Sequence, residues 1–461
     1  MAILLRIFGR DARGRPGMNQ GMSPAYPIRP ISESEFRAFY AVLEHAFNAS
    51  YPTDEELRHD QAIFEFDRTL AAFDGADLVG TATTLSFRMS VPGECASVAG
   101  VTAVSVLPSH RRRGILSSLM HRQMADIRDR GEAVAALFAS EAGIYGRYGY
   151  GAATGELDLT IRRGEGVLSA LAPAPAAAQA GAAAVAPAAA AGQGRADGAL
   201  RLRIAEPRDA TAELAKVFAS VLNSRPGLPA RDDRWWDFIL WDPEHRRSGN
   251  SPLRCVIAED DAGPRGYALF SGKPEWDPHG NPSGVLQVRE LMATDPAAHA
   301  AVWNDLLSRD LVGEVRAPSR PVDEPLLFLL ADRRRARPRI ADGLWIRLIS
   351  VPDALTQRRY SCAADVVIEV ADERLPENAG RWRLRAPGPE GAGSERATCE
   401  RTSAAADVIL PVQSLGATYL GGTRLGALAG AGLAEEVRPG ALATLSAALS
   451  WDPAPWCPTG F

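Results

Sequence analysis

The stretch Val101-Thr-Ala-Val-Ser-Val-Leu-Pro-Ser-His-Arg-Arg-Arg-Gly-Ile-Leu116 constrains this chain more than any other. Val101, Thr102, Val104 and Val106 form a β-branched run that stops at Pro108 and predicts a strand. Ile115, Leu116, Leu119, Met120, Met124 and Ile127 then recur at the three-to-four spacing of one apolar helical face, with Gly131 as its stop. A helix entered this way has its first turn at 111–116, where unpaired amides and the positive end of the dipole point outward. Anions are held well there. Gly114 lets a phosphate approach the backbone, and Arg111, Arg112 and Arg113 raise the local positive potential. The pattern predicts a loop that holds a pyrophosphate.

Other phosphate loops are absent: there is no G-x-x-x-x-G-K-[ST], and no G-x-G-x-x-G follows a strand. The remaining pattern resembles the acetyl-coenzyme A loop of the GNAT acyltransferase superfamily, Q/R-x-x-G-x-G/A. Arg111-x-x-Gly114-x-Leu116 fits it, with Leu116 where a small residue is usual. R-x-x-G alone is equally consistent with a basic, solvated helix start. The next strand, Val134-Ala-Ala-Leu-Phe-Ala-Ser140, and the turn Glu141-Ala-Gly-Ile-Tyr-Gly-Arg-Tyr-Gly-Tyr150 are far more specific. Together the two segments resemble the enhanced intracellular survival (Eis) family of N-acetyltransferases. Asp342-Gly-Leu-Trp-Ile-Arg347, Leu415-Gly-x-x-Tyr-Leu-Gly421 and a terminal Phe461 extend the resemblance over most of the chain.

With 461 residues, 46% of them hydrophobic and 23% charged, the chain can bury more than one core and reads as two or three domains. A net charge of -5 gives no basic footprint for nucleic acid. No apolar run approaches the roughly 20 residues of a membrane span, so no membrane partner is expected. The opening Met1-Ala-Ile-Leu-Leu-Arg-Ile-Phe-Gly is too short and wrongly charged for a signal peptide. Five scattered cysteines form neither metal pairs nor a disulfide framework, which points to a reducing cytoplasm. No H-E-x-x-H and no G-x-S-x-G occurs, so neither metal nor serine-nucleophile hydrolysis is expected.

Residues 164–199 are dominated by alanine, proline and glycine and read as a flexible linker or insertion. Residues 1–22 are expected to be a disordered leader, and 23–163 the first domain. Residues 200–342 repeat its logic: Val285-Leu-Gln-Val-Arg-Glu-Leu-Met292 predicts a strand and Pro296 opens a helix carrying Val302, Leu306 and Leu307. In place of the arginine-glycine loop stands Asp295, which suits a helix cap and opposes a phosphate. The resemblance implies a second, non-catalytic GNAT-like domain here. In 343–461, Asp365-Val-Val-Ile-Glu-Val370 and Trp382-Arg-Leu-Arg-Ala386 predict antiparallel strands, followed by helices. The family's third domain is sterol-carrier-protein-like. The fold class expected is therefore α/β (α+β): tandem GNAT-like domains followed by a sterol-carrier-protein-like α+β domain.

The resemblance also implies the chemistry. Acetyl-CoA is the co-substrate, and no metal is required. Val104, Ser105 and Val106 would pair with the pantetheine arm through their backbones. Arg111, Arg112, Arg113, Gly114, Ile115, Leu116 and Ser117 would hold the pyrophosphate, with Ser140 and Glu141 bordering the cofactor. Tyr145 matches the family's proton donor, and a phenol with a pKa of about 10 keeps its proton at neutral pH. The carboxylate of Phe461 matches its base, on a tail that Pro453, Pro455 and Pro458 stiffen and Trp451, Trp456 and Phe461 can anchor. The acceptor would be the primary amine of a small polyamine such as an aminoglycoside, and the assembly a homohexamer. The family's acidic residue beside the terminal phenylalanine is Gly460 here, and another near 47–50 is replaced; Glu44, Asp54, Glu55 and Glu56 are the nearby carboxylates. A protein-lysine acetyltransferase and a non-catalytic acyl-CoA sensor are the alternatives.

Overall fold

The computed structural model describes residues 26–170, 200–388 and 395–461. The expected leader 1–22 and most of the expected linker 164–199 lie outside the described residues. Two compact units emerge, one comprising residues up to Thr154, Gly343–Asp452 and Thr459–Phe461, the other Gly155–Asp342 and Pro453–Pro458.

In the first unit the chain runs β1 (Ile28–Pro30), α1 (Phe36–Phe47), α2 (Asp54–Gln61), β2 (Thr69–Asp74), β3 (Asp77–Val91) and β4 (Glu94–Val106). Then follow α3 (Ile115–Asp129), β5 (Val134–Phe138), the single turn α4 (Ala142–Tyr145) and β6 (Gly151–Ala152). The helix predicted from apolar spacing is α3, whose buried face is Ile115, Leu119, Met120, Met124 and Ile127. Met120, Met124 and Ile127 pack with Val101, Leu137 and Tyr145 in one core, whereas Ile115 and Leu119 face Leu70, Val79 and Ala82 in another.

The second unit takes β7 (Gly155–Arg162), β8 (Arg201–Ala205), α5 (Thr211–Val221), α6 (Asp233–Leu240), β9 (Arg254–Asp260) and β10 (Gly263–Lys273). It continues with β11 (Gly284–Ala293), α7 (Pro296–Ser308), β12 (Val312–Pro321) and β13 (Arg339–Asp342). Its sheet order is β13-β7-β12-β11-β10-β9-β8, with β11 and β12 parallel around α7. β11 and α7 are the strand and helix predicted around Pro296, and β12 completes the unit.

The chain then returns to the first unit as β14 (Leu344–Leu348), which inserts antiparallel between β5 and β6 and gives the order β1-β2-β3-β4-β5-β14-β6. A further sheet, β17-β16-β15-β18-β19, is built from β15 (Ala364–Ala371), β16 (Gly380–Ala386), β17 (Thr398–Arg401), β18 (Val408–Pro411) and β19 (Glu435–Glu436). β15 and β16 are antiparallel as predicted, but β15 and β18 are parallel.

The sheets divide the chain differently from the boundaries read in the sequence. β7 precedes the expected break at 163 yet pairs with β12 and β13, and β14 follows the expected break at 343 yet pairs with β5 and β6. Backbone hydrogen bonds must be completed across the sheet, whatever the order of segments along the chain. Residues 164–170, placed in the expected linker, lie on the second unit: Leu168 bridges Leu330, and Ser169 N–H donates to Leu329 O at 2.7 Å. Leu168 is an apolar side chain packed on the second unit's core.

Candidate active site

β4 and β5 run parallel only from Val98↔Val134 to Gly100↔Ala136. Beyond Gly100, β4 continues to Val106 while β5 stays with β14, so the ladder between the two strands ends there and they splay. A bulge sits at this point. Ala103 takes φ 50, and the β3 register slips between Thr81 and Thr83. Buried Thr81 fixes the bulge: its hydroxyl donates to Ala103 O at 2.7 Å and lies 2.6 Å from Ser105 Oγ. The Ser105 side chain is thereby used internally, and Ser105 pairs with Thr81 in the β3–β4 ladder. Val104 and Val106 are half-buried beside it.

At the end of β4 the chain makes one 3-10 turn, Pro108–His110, and then enters α3 through a loop with two left-handed residues, Arg112 (φ 63) and Gly114 (φ 84). The left-handed region costs a non-glycine residue about 1–3 kcal/mol and recurs where backbone is shaped around a ligand. Gly114 itself is exposed, with open space where a Cβ would stand. Among the described residues no side chain caps α3, so its first-turn amides are presented without a side-chain acceptor. Successive amides turned through left-handed residues at a helix start make a concavity for an anion.

The seven residues predicted for this loop have distinct surroundings. Arg111 reaches Ala46 O at 3.4 Å and Arg113 donates to the Tyr26 hydroxyl at 2.9 Å. Arg112 is exposed, with no hydrogen-bond or ion-pair partner among the described residues. Ile115 is committed to the core and offers only its amide, Leu116 is half-buried, and Ser117 Oγ lies 3.2 Å from the Tyr148 hydroxyl. Ser140 and Glu141 are exposed just beyond the end of β5.

Tyr145 closes α4 and is buried against Met120, Met124 and Leu137, its ring 6.1 Å from that of Tyr150. Burial pushes its pKa up, a hydrogen bond from the Ser140 side chain opposes this, and Glu141 and Tyr148 add to the rise. The phenol therefore carries its proton throughout the neutral range. The other two tyrosines are placed differently: Tyr148 is engaged by Ser117 and lies under the Arg374 guanidinium, and Tyr150 is fully buried, its pKa also raised.

Phe461, the last residue, is buried in the same unit. Its ring centroid lies 4.8 Å from Phe87 and 5.4 Å from Phe138. A Cβ on Gly100 would stand 3.1 Å from the Phe461 ring and would also collide with Phe87. Gly100 is thus the last residue paired with β5 and also the notch that admits the terminal side chain. The motif reading passed over this aromatic seat, although a glycine inside a strand is itself a sign of close approach.

The carboxylates considered for the acceptor side do not form one open acidic face. Arg37 pairs with Asp54 and holds its carboxyl below the usual range. Glu56 completes a capping box with Thr53 at the start of α2.

In the second unit the corresponding helix start is closed. Asp295 caps α7, accepting from Ala297 N and Ala298 N at 3.0 Å each, and is itself held by Arg265 at 3.0 Å. The anion that α7 accepts is the protein's own carboxylate.

Residues 27–153 and 227–348 each match the acetyltransferase (GNAT) domain family, and residues 351–458 match the sterol carrier protein domain family. The chain is 42% identical over 435 residues to an uncharacterised N-acetyltransferase of Streptomyces avermitilis, spanning 94% of this chain and 99% of that protein. It is 32% identical to the N-acetyltransferase Eis of Mycobacterium tuberculosis over 386 residues, 82% of this chain and 84% of the relative. Among solved structures, Eis1 of Mycobacterium abscessus superposes with a TM-score of 0.75 at 30% identity, covering 94% of this chain and all of the other. Among the described residues there is no cluster of three potential metal ligands, and no helix is long and apolar enough to cross a membrane.

Proposed function

Since the chain belongs to the Eis family of GNAT N-acetyltransferases, we propose that it acetylates primary amines of small polyamines by direct transfer, with Tyr145 as general acid and Phe461 as general base. Family membership itself makes the protein an acetyltransferase that uses acetyl-CoA and acts on small amines. The residue roles, the polyamine class, with aminoglycosides its leading members, and a homohexameric assembly are our reading.

The observation that carries it is the contrast between two helix starts in one chain. α3 leaves its amides uncapped behind two left-handed residues, whereas α7 is capped by Asp295. Only the first suits a pyrophosphate. Arg112, without a partner among the described residues, supplies charge there, and the splayed edge of β4 at Val104, Ser105 and Val106 offers backbone hydrogen bonds to the pantetheine arm. Ser140 and Glu141 border the same end of β5.

The proton inventory then follows. The neutral amine attacks the thioester carbonyl; a C–N bond forms, the C–S bond breaks, and the thiolate takes the proton of Tyr145. Burial keeps that proton in place until a thiolate develops. The proton shed by the amine goes to the terminal carboxylate, whose side chain is locked between Phe87 and Phe138. Aromatic faces at this position also attract a cationic acceptor, each contact contributing about 0.5–2 kcal/mol.

Incubation with acetyl-CoA and a panel of aminoglycosides, linear polyamines and lysine peptides, followed by thiol release, tests the reading. Release with the small polyamines is expected. Release with peptides alone would assign a protein substrate, and no release despite tight acetyl-CoA binding would assign a sensor. Light scattering tests the hexamer.

A further inference from the structure

Tyr145 ends α4, a single turn of four residues that no side chain caps among the described residues. A turn that short cannot hold its own geometry, so the place of the phenol is set by what packs against it. Two segments of later chain do so, both within the first unit. The first is Arg347 on β14. Its side chain is fully buried, and Nη2 donates to both carboxylate oxygens of Asp372, at 2.8 and 2.7 Å. The Asp372 carboxylate is itself fixed, accepting from Arg374 N, Leu375 N and Asn378 Nδ2 at 3.1 Å each. The guanidinium so held lies against Gly149, which closes the 3-10 turn after Tyr145 with φ 83. A Cβ on Gly149 would stand 2.8 Å from the guanidinium carbon. Turn and guanidinium meet at a distance that only glycine permits.

The second segment is the loop 372–378, which joins β15 to β16 within the sterol carrier protein domain match. Arg374 Nε donates to Arg147 O at 3.1 Å, and its guanidinium lies 5.3 Å from the Tyr148 ring. Leu375 is buried in the core that also holds Tyr145, Tyr148 and Tyr150. One carboxylate, that of Asp372, therefore ties together the two segments that confine the turn.

We infer that Arg347, Asp372 and Arg374 form a brace that positions the Tyr145 phenol for proton donation, so that the sterol-carrier-like part of the chain serves acetyl transfer through the acid. These are positioning residues; none is assigned a contact with substrate. The inference rests on the reading of Tyr145 as general acid. Its physical content is geometry: a catalytic group misplaced by about 1 Å can cost on the order of a hundredfold in rate. The acetyl-CoA loop before α3 is not touched by the brace.

Two full-length variants test this, with melting curves confirming the fold. Asp372→Asn keeps the shape of the side chain and removes its charge; Arg374→Ala removes an exposed link and answers if the buried variant does not fold. Each is made alone and in a Tyr145→Phe background, and thiol release is followed with acetyl-CoA and the fastest amine of the panel. With Tyr145 present, we expect kcat to fall about tenfold and the KM for acetyl-CoA to stay within twofold. In the Tyr145→Phe background neither variant should lower kcat further, because residues that act through one group are not additive with its loss. An equal fall in both backgrounds would overturn the brace, as would an unchanged kcat with Tyr145 present. If Tyr145→Phe alone leaves kcat unchanged, the assignment of the acid falls, and the brace with it.

Discussion

Tyr145 is the residue on which the chemistry turns. Burial in the α3–β5 core raises its pKa, so Tyr145→Phe removes a proton that is present at every pH of interest. We expect kcat to fall by about two orders of magnitude, with acetyl-CoA affinity measured by calorimetry near that of the parent. Unchanged kcat would take Tyr145 out of the mechanism. Gly100 is the opposite case, a residue with no chemistry of its own. Gly100→Val pushes a side chain into Phe87 and Phe461, and should lower kcat at least tenfold while leaving the acetyl-CoA loop intact. Cofactor affinity reduced in parallel would show that the notch serves the strand pairing rather than the tail. Tyr145 was legible because it stands in a motif whose spacing is shared by a family. Gly100 was not, because what it admits is a side chain 361 positions further along the chain.

Among elements, α3 and α7 show how one residue changes what a helix start can do. Gly114→Val forces a β-branched residue into φ 84 and should weaken acetyl-CoA binding by tenfold or more without removing Tyr145's contribution to kcat. Asp295→Ala should do the reverse. It costs about 1 kcal/mol of stability, read as a lower melting temperature, with kcat unchanged. Loss of activity on uncapping α7 would contradict a purely structural role for that helix. Both starts were readable in sequence, since capping is decided by neighbours along the chain. The strand β7 carries a further prediction. Burial pushes Glu156 up to about 7, opposed by its hydrogen bond to Ser319. The folded state therefore retains a proton that the unfolded chain releases near pH 4.5. The stability this confers is complete below that pH and is lost as pH rises toward 7, by about 3 kcal/mol in all. Glu156→Gln should flatten the fall in melting temperature between pH 5 and pH 8; an identical fall would place the titration elsewhere.

At the scale of the whole molecule, the exchange of β7 and β14 makes the first GNAT sheet depend on residues about two hundred positions away. A fragment spanning 23–163 lacks the strand that lies between β5 and β6. It should show no cooperative thermal transition, and a sharp transition would mean that β5 can close the sheet on its own. Appending a C-terminal tag to the full chain should abolish most acetyl transfer while leaving the melting temperature within a few degrees, because it converts the terminal carboxylate into a peptide bond. The sequence by itself determined the elements and the anion loop: β-branched runs, helical spacing, Gly114 and the Asp295 cap are local, and the forces that read them act within a few residues. Only the tertiary structure decided where the sheets divide and which glycine admits Phe461. Those outcomes depend on hydrogen bonds completed and volumes filled between segments far apart in the chain, for which no local pattern is required.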